Sequence, residues 1–132
     1  MKKIAFAFLL TVSFMTTCAQ EVYHAYESGI ATFSEEFKRW VYDTPQPSDL
    51  TFILDRGVIT VNDRKGSAYI LGKEFQNENK PDRGDLGWDA VDEDGTKCAV
   101  KLIFYREIPI RIQIACIYGS SCYYFNTHRV NR

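Results

Sequence analysis

Between Leu50 and Asp63 the chain reads LTFILDRGVITVND, and the fold class turns on how this stretch doubles back. Leu50, Phe52 and Leu54 are apolar at every second position, Asp55-Arg56-Gly57 interrupts, and Ile59 and Val61 resume the alternation. A period of two belongs to a strand with one buried face. A two-residue turn at Arg56-Gly57 sets Leu54 opposite Ile59 and Phe52 opposite Val61, so both strands bury the same side.

The same device recurs along the chain. Asp63-Arg64-Lys65-Gly66 predicts a turn before a strand from Ser67 to Leu71, and Gln76 to Asp85, QNENKPDRGD, reads as an exposed polar loop. In the second half, Cys98, Val100, Leu102 and Phe104 are all apolar while the other face carries Lys97 and Lys101, then Ile108, Ile110, Ile112, Ile114 and Cys116 alternate with Arg111 and Gln113. Gly119-Ser120 suits a tight turn, and SCYYFN, Ser121 to Asn126, returns as the last strand. The segment ATFSEEFKRWVYD is ambiguous. Phe33, Phe37, Trp40 and Val41 follow a helical spacing with Ser34 as a cap, whereas Pro45, Pro47 and the aromatic neighbours favour strands, so residues 33–42 stay open between helix and strand.

About eight strands joined by tight turns predict an all-β, single-domain antiparallel meander. A closed up-and-down barrel is preferred to a two-layer sandwich, because sequential hairpins without a long crossover close most simply in that way.

Trp88 to Cys98, WDAVDEDGTKC, crowds four acids into six positions. With Gly95 at position 6 of a helix-flanked calcium loop, Ala90 and Lys101 would occupy the first and last ligand positions, where neither can serve. A type I turn with Gly95 left-handed is self-consistent instead, for it places Asp92 opposite Thr96, Ala90 opposite Cys98, Trp88 opposite Val100 and Leu86 opposite Leu102. No metal and no cofactor are expected.

The start, MKKIAFAFLLTVSFMTTCAQ, is basic, then apolar, then small, as in a bacterial secretory signal, and its apolar run is too short to span a membrane. Residues 1–19 are expected to be cleaved, leaving 20–132 as one β domain, exported to the periplasm or beyond. Acylation of Cys18 would instead anchor an outer-membrane lipoprotein. Loss of Lys2 and Lys3 reduces 16 basic residues to 14 against 17 acidic, a net charge of −3. With no basic run, the chain offers no footprint for nucleic acid.

At this point the chain resembles a family. Trp88, Ala90, Asp92, Gly95, Cys98, Val100 and Leu102, then IRIQIACIYGSSCYYF (110–125) and VITVNDRKGSAYIL (58–71), look like small secreted bacterial all-β proteins of uncharacterised function. The resemblance implies an all-β fold and export, and brings no activity or binding residues with it.

Chemistry-bearing residues are few. Cys98, Cys116 and Cys122 remain after export. Either a three-residue loop, Arg106 to Ile108, sets Cys98 opposite Cys116 for a disulfide, or the thiols serve as small core residues. Cys122 falls on the other face. His24 and His128 stand at opposite ends of the mature chain, where a meander can bring them together, so a hydrolase using a terminal histidine is one alternative. Arg83-Gly84-Asp85, the tripeptide read by adhesion receptors, makes a structural or adhesion role another. Tyr118, Tyr123 and Tyr124 form the candidate binding patch, since neighbouring Tyr123 and Tyr124 must face opposite ways and exposed tyrosines suit recognition. The leading expectation is a non-catalytic secreted or periplasmic binding domain for a protein partner or small apolar ligand. A barrel interior filled by side chains would remove the small-ligand version and favour a surface-acting role, such as an inhibitor.

Overall fold

The computed structural model describes residues 20–106 and 111–130. The expected signal and the alternative anchor at Cys18 lie outside them, as does most of the 106–110 connection. Among the described residues nine strands follow one another: β1 (Gln20–Ser34), β2 (Arg39–Tyr42), β3 (Gln46–Asp55), β4 (Val58–Val61), β5 (Ala68–Asn79), β6 (Arg83–Asp92), β7 (Lys97–Tyr105), β8 (Arg111–Tyr118) and β9 (Ser121–Arg129). All neighbours are antiparallel, and pairing of β1 with β9 closes an eight-strand barrel to which β2 is added. The lower half of β1 pairs with β3 and its upper end with β2, while β9 runs along the opposite edge, so β2 and β3 lie end to end as one interrupted stave.

The predicted registers are observed. Leu54 faces Ile59 and Phe52 faces Val61. Arg56 and Gly57 have φ of 54° and 79°, the left-handed pair of a hairpin turn whose twist matches its strands. Ala90 faces Cys98, Trp88 faces Val100, Leu86 faces Leu102, and the Asp92 N–H donates to the Thr96 carbonyl. Gly95 has φ of 83°, so the reversal needs the one residue without a Cβ penalty.

Alternation carries Tyr23, Ala25, Phe52, Ile59, Val100, Leu102, Ile114 and Cys116 into the barrel, where all are buried. Phe52 meets Phe125 with ring centroids 4.8 Å apart. A bulge at Tyr26, between Ala25 and Glu27, bends β1. A second cluster lies outside the barrel wall, where Trp40 packs on Ala31, Ala115, Ile117, Cys122 and Tyr124. Cys122 is on the other face from Cys116, as expected.

Two expectations are corrected, and the choice left open for residues 33–42 falls to strands. Residues 76–85 are not a loop: β5 and β6 pair as far as Asn79 and Gly84, and Lys80 and Arg83 exchange backbone hydrogen bonds of 2.7 and 3.2 Å around Pro81-Asp82. Polar side chains do not bar a strand whose backbone finds a ladder partner. Residues 33–42 are neither a helix nor one strand but a hairpin, with Ser34 opposite Arg39 and the Ser34 Oγ accepting the Phe37 N–H at 3.1 Å. Cys98 and Cys116 form no disulfide. The β7–β8 connection is two residues longer than the pairing required, since Tyr105 faces Arg111, and that slip sets Cys116 opposite Val100.

Candidate functional site at the open end of the barrel

Because successive turns alternate between the barrel's ends, the turns at 63–66, 93–95 and 119–120 share one end, here the upper one. Inward-facing residues at the upper strand ends therefore converge. Tyr69 from β5, Tyr118 from β8, and Tyr123 and Phe125 from β9 line a depression of about 430 Å³, with Asp63, Lys65, Ser67, Asp92, Glu93 and Thr96 on its rim. Tyr118 and Tyr123 meet edge to face, centroids 6.1 Å apart. The floor is Phe125, which packs on Phe52 of the buried core inside the barrel.

The candidate tyrosines are split by the wall. Tyr118 and Tyr123 belong to the mouth, and Tyr123 is 48% exposed. Tyr124 faces outward yet is only 3% exposed, because the β1–β2 hairpin covers it: its hydroxyl donates to the Asp43 carbonyl at 2.7 Å, and Tyr42 packs edge-on at 5.0 Å. Tyr69 and Phe125 were missed in the sequence reading. The signal that finds them is shared parity combined with a count of which turns lie at the same end.

The rim acids hold the turns. Asp92 Oδ1 accepts the Asp94 and Thr96 N–H groups, each at 2.9 Å, and Oδ2 accepts the Tyr118 hydroxyl at 2.8 Å. The Thr96 N–H, against the cost of desolvation and helped by the Tyr118 and Asp94 bonds, holds the Asp92 carboxyl below its ordinary value. Burial, then the bond to Asp92, pushes the Tyr118 hydroxyl up. Glu93 accepts from Lys65 at 2.9 Å and from the Ala68 N–H at 3.0 Å, and these bonds lower it to about 2. Burial works to raise Asp63, but the Ser67 hydroxyl and the Ser67 and Gly66 N–H groups outweigh it.

Asp92, Glu93 and Asp94 bring carboxylate oxygens within 4.8 Å of one another, the arrangement a cation would use. The Lys65 ammonium already bridges Glu93 and Asp94, at 2.9 and 3.2 Å, and Asp92 is engaged by the turn. The acids therefore fasten the 63–66 turn to the 93–95 turn.

Each depressed carboxyl stabilises the fold fully above its unfolded pKa, 4.5 for Glu93 and 3.8 for Asp92, and this stability is lost as pH falls towards the folded value, about 2 for Glu93. The thermal midpoint is expected to be flat from about pH 7 to 5 and to fall below about 4.5. Glu93→Gln should flatten part of that fall. An unchanged slope in the variant would remove Glu93 from this account.

The other sites suggested by sequence separate. His24 and His128 meet as a cross-strand pair on the outer wall, with Asp49 Oδ1 2.6 Å from His24 Nε2. Among the described residues neither imidazole has a serine, threonine or cysteine side chain as a hydrogen-bond partner, so this pairing assembles no nucleophile. Arg83-Gly84-Asp85 opens β6 and does not protrude: the Asp85 side chain is 2% exposed, with Arg83 and Lys101 each 3.9 Å away. Burial raises the Cys98 thiol and pushes Cys116 up to about 12, which leaves both as neutral packing groups. A further groove of about 390 Å³ on the outer wall, lined by Ile70, Gly72, Asp89, Ala90, Val91, Lys97 and Cys98, gathers no comparable set of polar groups. No helix among the described residues is long and apolar enough to cross a membrane. Comparison of the chain with family models, curated proteins and solved structures finds no match.

Proposed function

We propose that the protein is an exported, non-catalytic binding module whose upper mouth receives a basic side chain from a partner protein. The observation that carries this reading is the mouth itself: an open depression walled by Tyr69, Tyr118, Tyr123 and Phe125, with three carboxylates, Asp63, Asp92 and Glu93, on its rim against one ammonium, Lys65. Aromatic faces attract a guanidinium or ammonium group, by about 0.5–2 kcal/mol according to its desolvation. The surplus of negative charge steers a cation towards the opening. The packing of Phe125 on Phe52 beneath the mouth supports a surface encounter over enclosure of a small apolar ligand. Export is supported by the basic and then apolar start of the chain.

The test uses N-acetyl-arginine amide and short arginine-containing peptides, titrated into the ¹⁵N-labelled protein. Saturable shifts are expected at the amides of Tyr69, Thr96, Tyr118 and Tyr123, weakened at least several-fold by Tyr123→Ala. N-acetyl-glutamine amide should leave these amides unmoved. Equal response to the glutamine compound, or arginine shifts confined to the outer wall, would sink the reading.

A further inference from the structure

The barrel closes where its first and last strands meet, and that seam carries a pair of imidazoles. His24 of β1 faces His128 of β9, with ring centroids 5.6 Å apart and planes at 54°. An imidazole nitrogen binds zinc at about 2.0–2.1 Å, and two imidazoles placed tetrahedrally on one ion have centroids roughly 5–5.5 Å apart. The observed centroid separation of 5.6 Å is close to that value.

The surroundings prepare both rings. Asp49 Oδ1 lies 2.6 Å from His24 Nε2, so that nitrogen carries the proton and donates to the carboxylate, leaving the Nδ1 lone pair for a metal. A carboxylate behind a metal-binding histidine fixes its tautomer and raises its basicity. Tyr26, the bulge residue, stacks on His128 at 5.9 Å with planes 21° apart and holds its orientation. Among the described residues neither nitrogen of His128 has a hydrogen-bond partner. His128 is exposed and the His24 side chain is 34% exposed, which lets solvent water complete the coordination.

We propose that His24 and His128, with Asp49 behind His24, form a site for a divalent transition metal such as zinc, which clasps the seam between β1 and β9. The clasp joins positions near the two ends of the domain, so binding to the closed barrel shifts the folding equilibrium by mass action.

The test uses metal-free full-length protein after EDTA treatment, with zinc chloride added and thermal unfolding followed. Zinc is expected to raise the midpoint by about 5 °C or more, reversibly on renewed chelation. His24→Gln and His128→Gln should each abolish the rise while leaving the zinc-free midpoint close to that of the parent. Asp49→Asn should weaken zinc binding only modestly, since the Asp49 side chain is 93% exposed. In ¹H–¹⁵N spectra tuned to imidazole nitrogens, zinc should move the His24 and His128 resonances together. No rise in midpoint would overturn the proposal. So would a rise that survives in the double histidine variant, which would place the metal on the carboxylates of the 93–95 turn or on thiols.

Discussion

Gly29→Val is expected to lower stability by about 3 kcal/mol, combining strain from an added side chain with partial loss of a buried ring. The backbone at Gly29 does not lie in the left-handed region, so the cost is one of space. A Cβ there would lie 2.5 Å from the Tyr124 hydroxyl oxygen and 2.6 Å from the ring carbon bearing it. The ring cannot simply swing aside, because its hydroxyl is bound to Asp43 and its edge meets Tyr42. Displacing it undoes the outer cluster that seats Trp40 against the barrel. Urea denaturation supplies the measurement, and a double-mutant cycle supplies the discrimination. In the Tyr124→Ala background, Gly29→Ala should be neutral or stabilising, since a strand glycine is intrinsically worse than alanine by roughly 0.5–1 kcal/mol. Costs that merely add would show that the ring does not depend on the glycine.

This cluster marks where sequence reading stops. Alternation assigned Leu54 and Ile59, or Ala90 and Cys98, to one face and to one another, because a tight turn leaves no freedom in register. Between β7 and β8 the parity of Cys98 and Cys116 survived a shift of two residues, but the pairing did not, since connection length is not encoded in the alternation. Phe33 and Trp40, seven residues apart, imitate the face of a helix. They are in fact opposite each other across a hairpin, with ring centroids at 5.5 Å. The tyrosines show the limit most plainly. Parity says that Tyr123 and Tyr124 point in opposite directions, but it does not say that the outward one is covered and the inward one lies in an open mouth. Cover comes from Trp40 and Tyr42 of β2, whose side chains reach the outer face of β9 through long-range contacts that no local pattern announces.

Phe52→Ala is expected to cost about 3–5 kcal/mol, much of the 5–15 kcal/mol available to a domain of this size. Phe52 is 1% exposed and sits directly beneath Phe125, the floor of the mouth. The site is hard to collapse, because its neighbours Tyr23, Ile59 and Val61 belong to strands fixed on both edges by the closed sheet. The truncation should therefore leave a cavity, and an apolar cavity of that kind takes up small aromatic molecules. Benzene should raise the thermal midpoint of Phe52→Ala and leave that of the parent unchanged. If the parent responds equally, its interior is already open, and enclosure of a small apolar ligand becomes the better account of the mouth. A response in the variant alone shows that the parent's rings seal the axis. Binding at the upper end must then stop at Phe125, which suits a side chain entering from a partner better than a molecule held within the barrel.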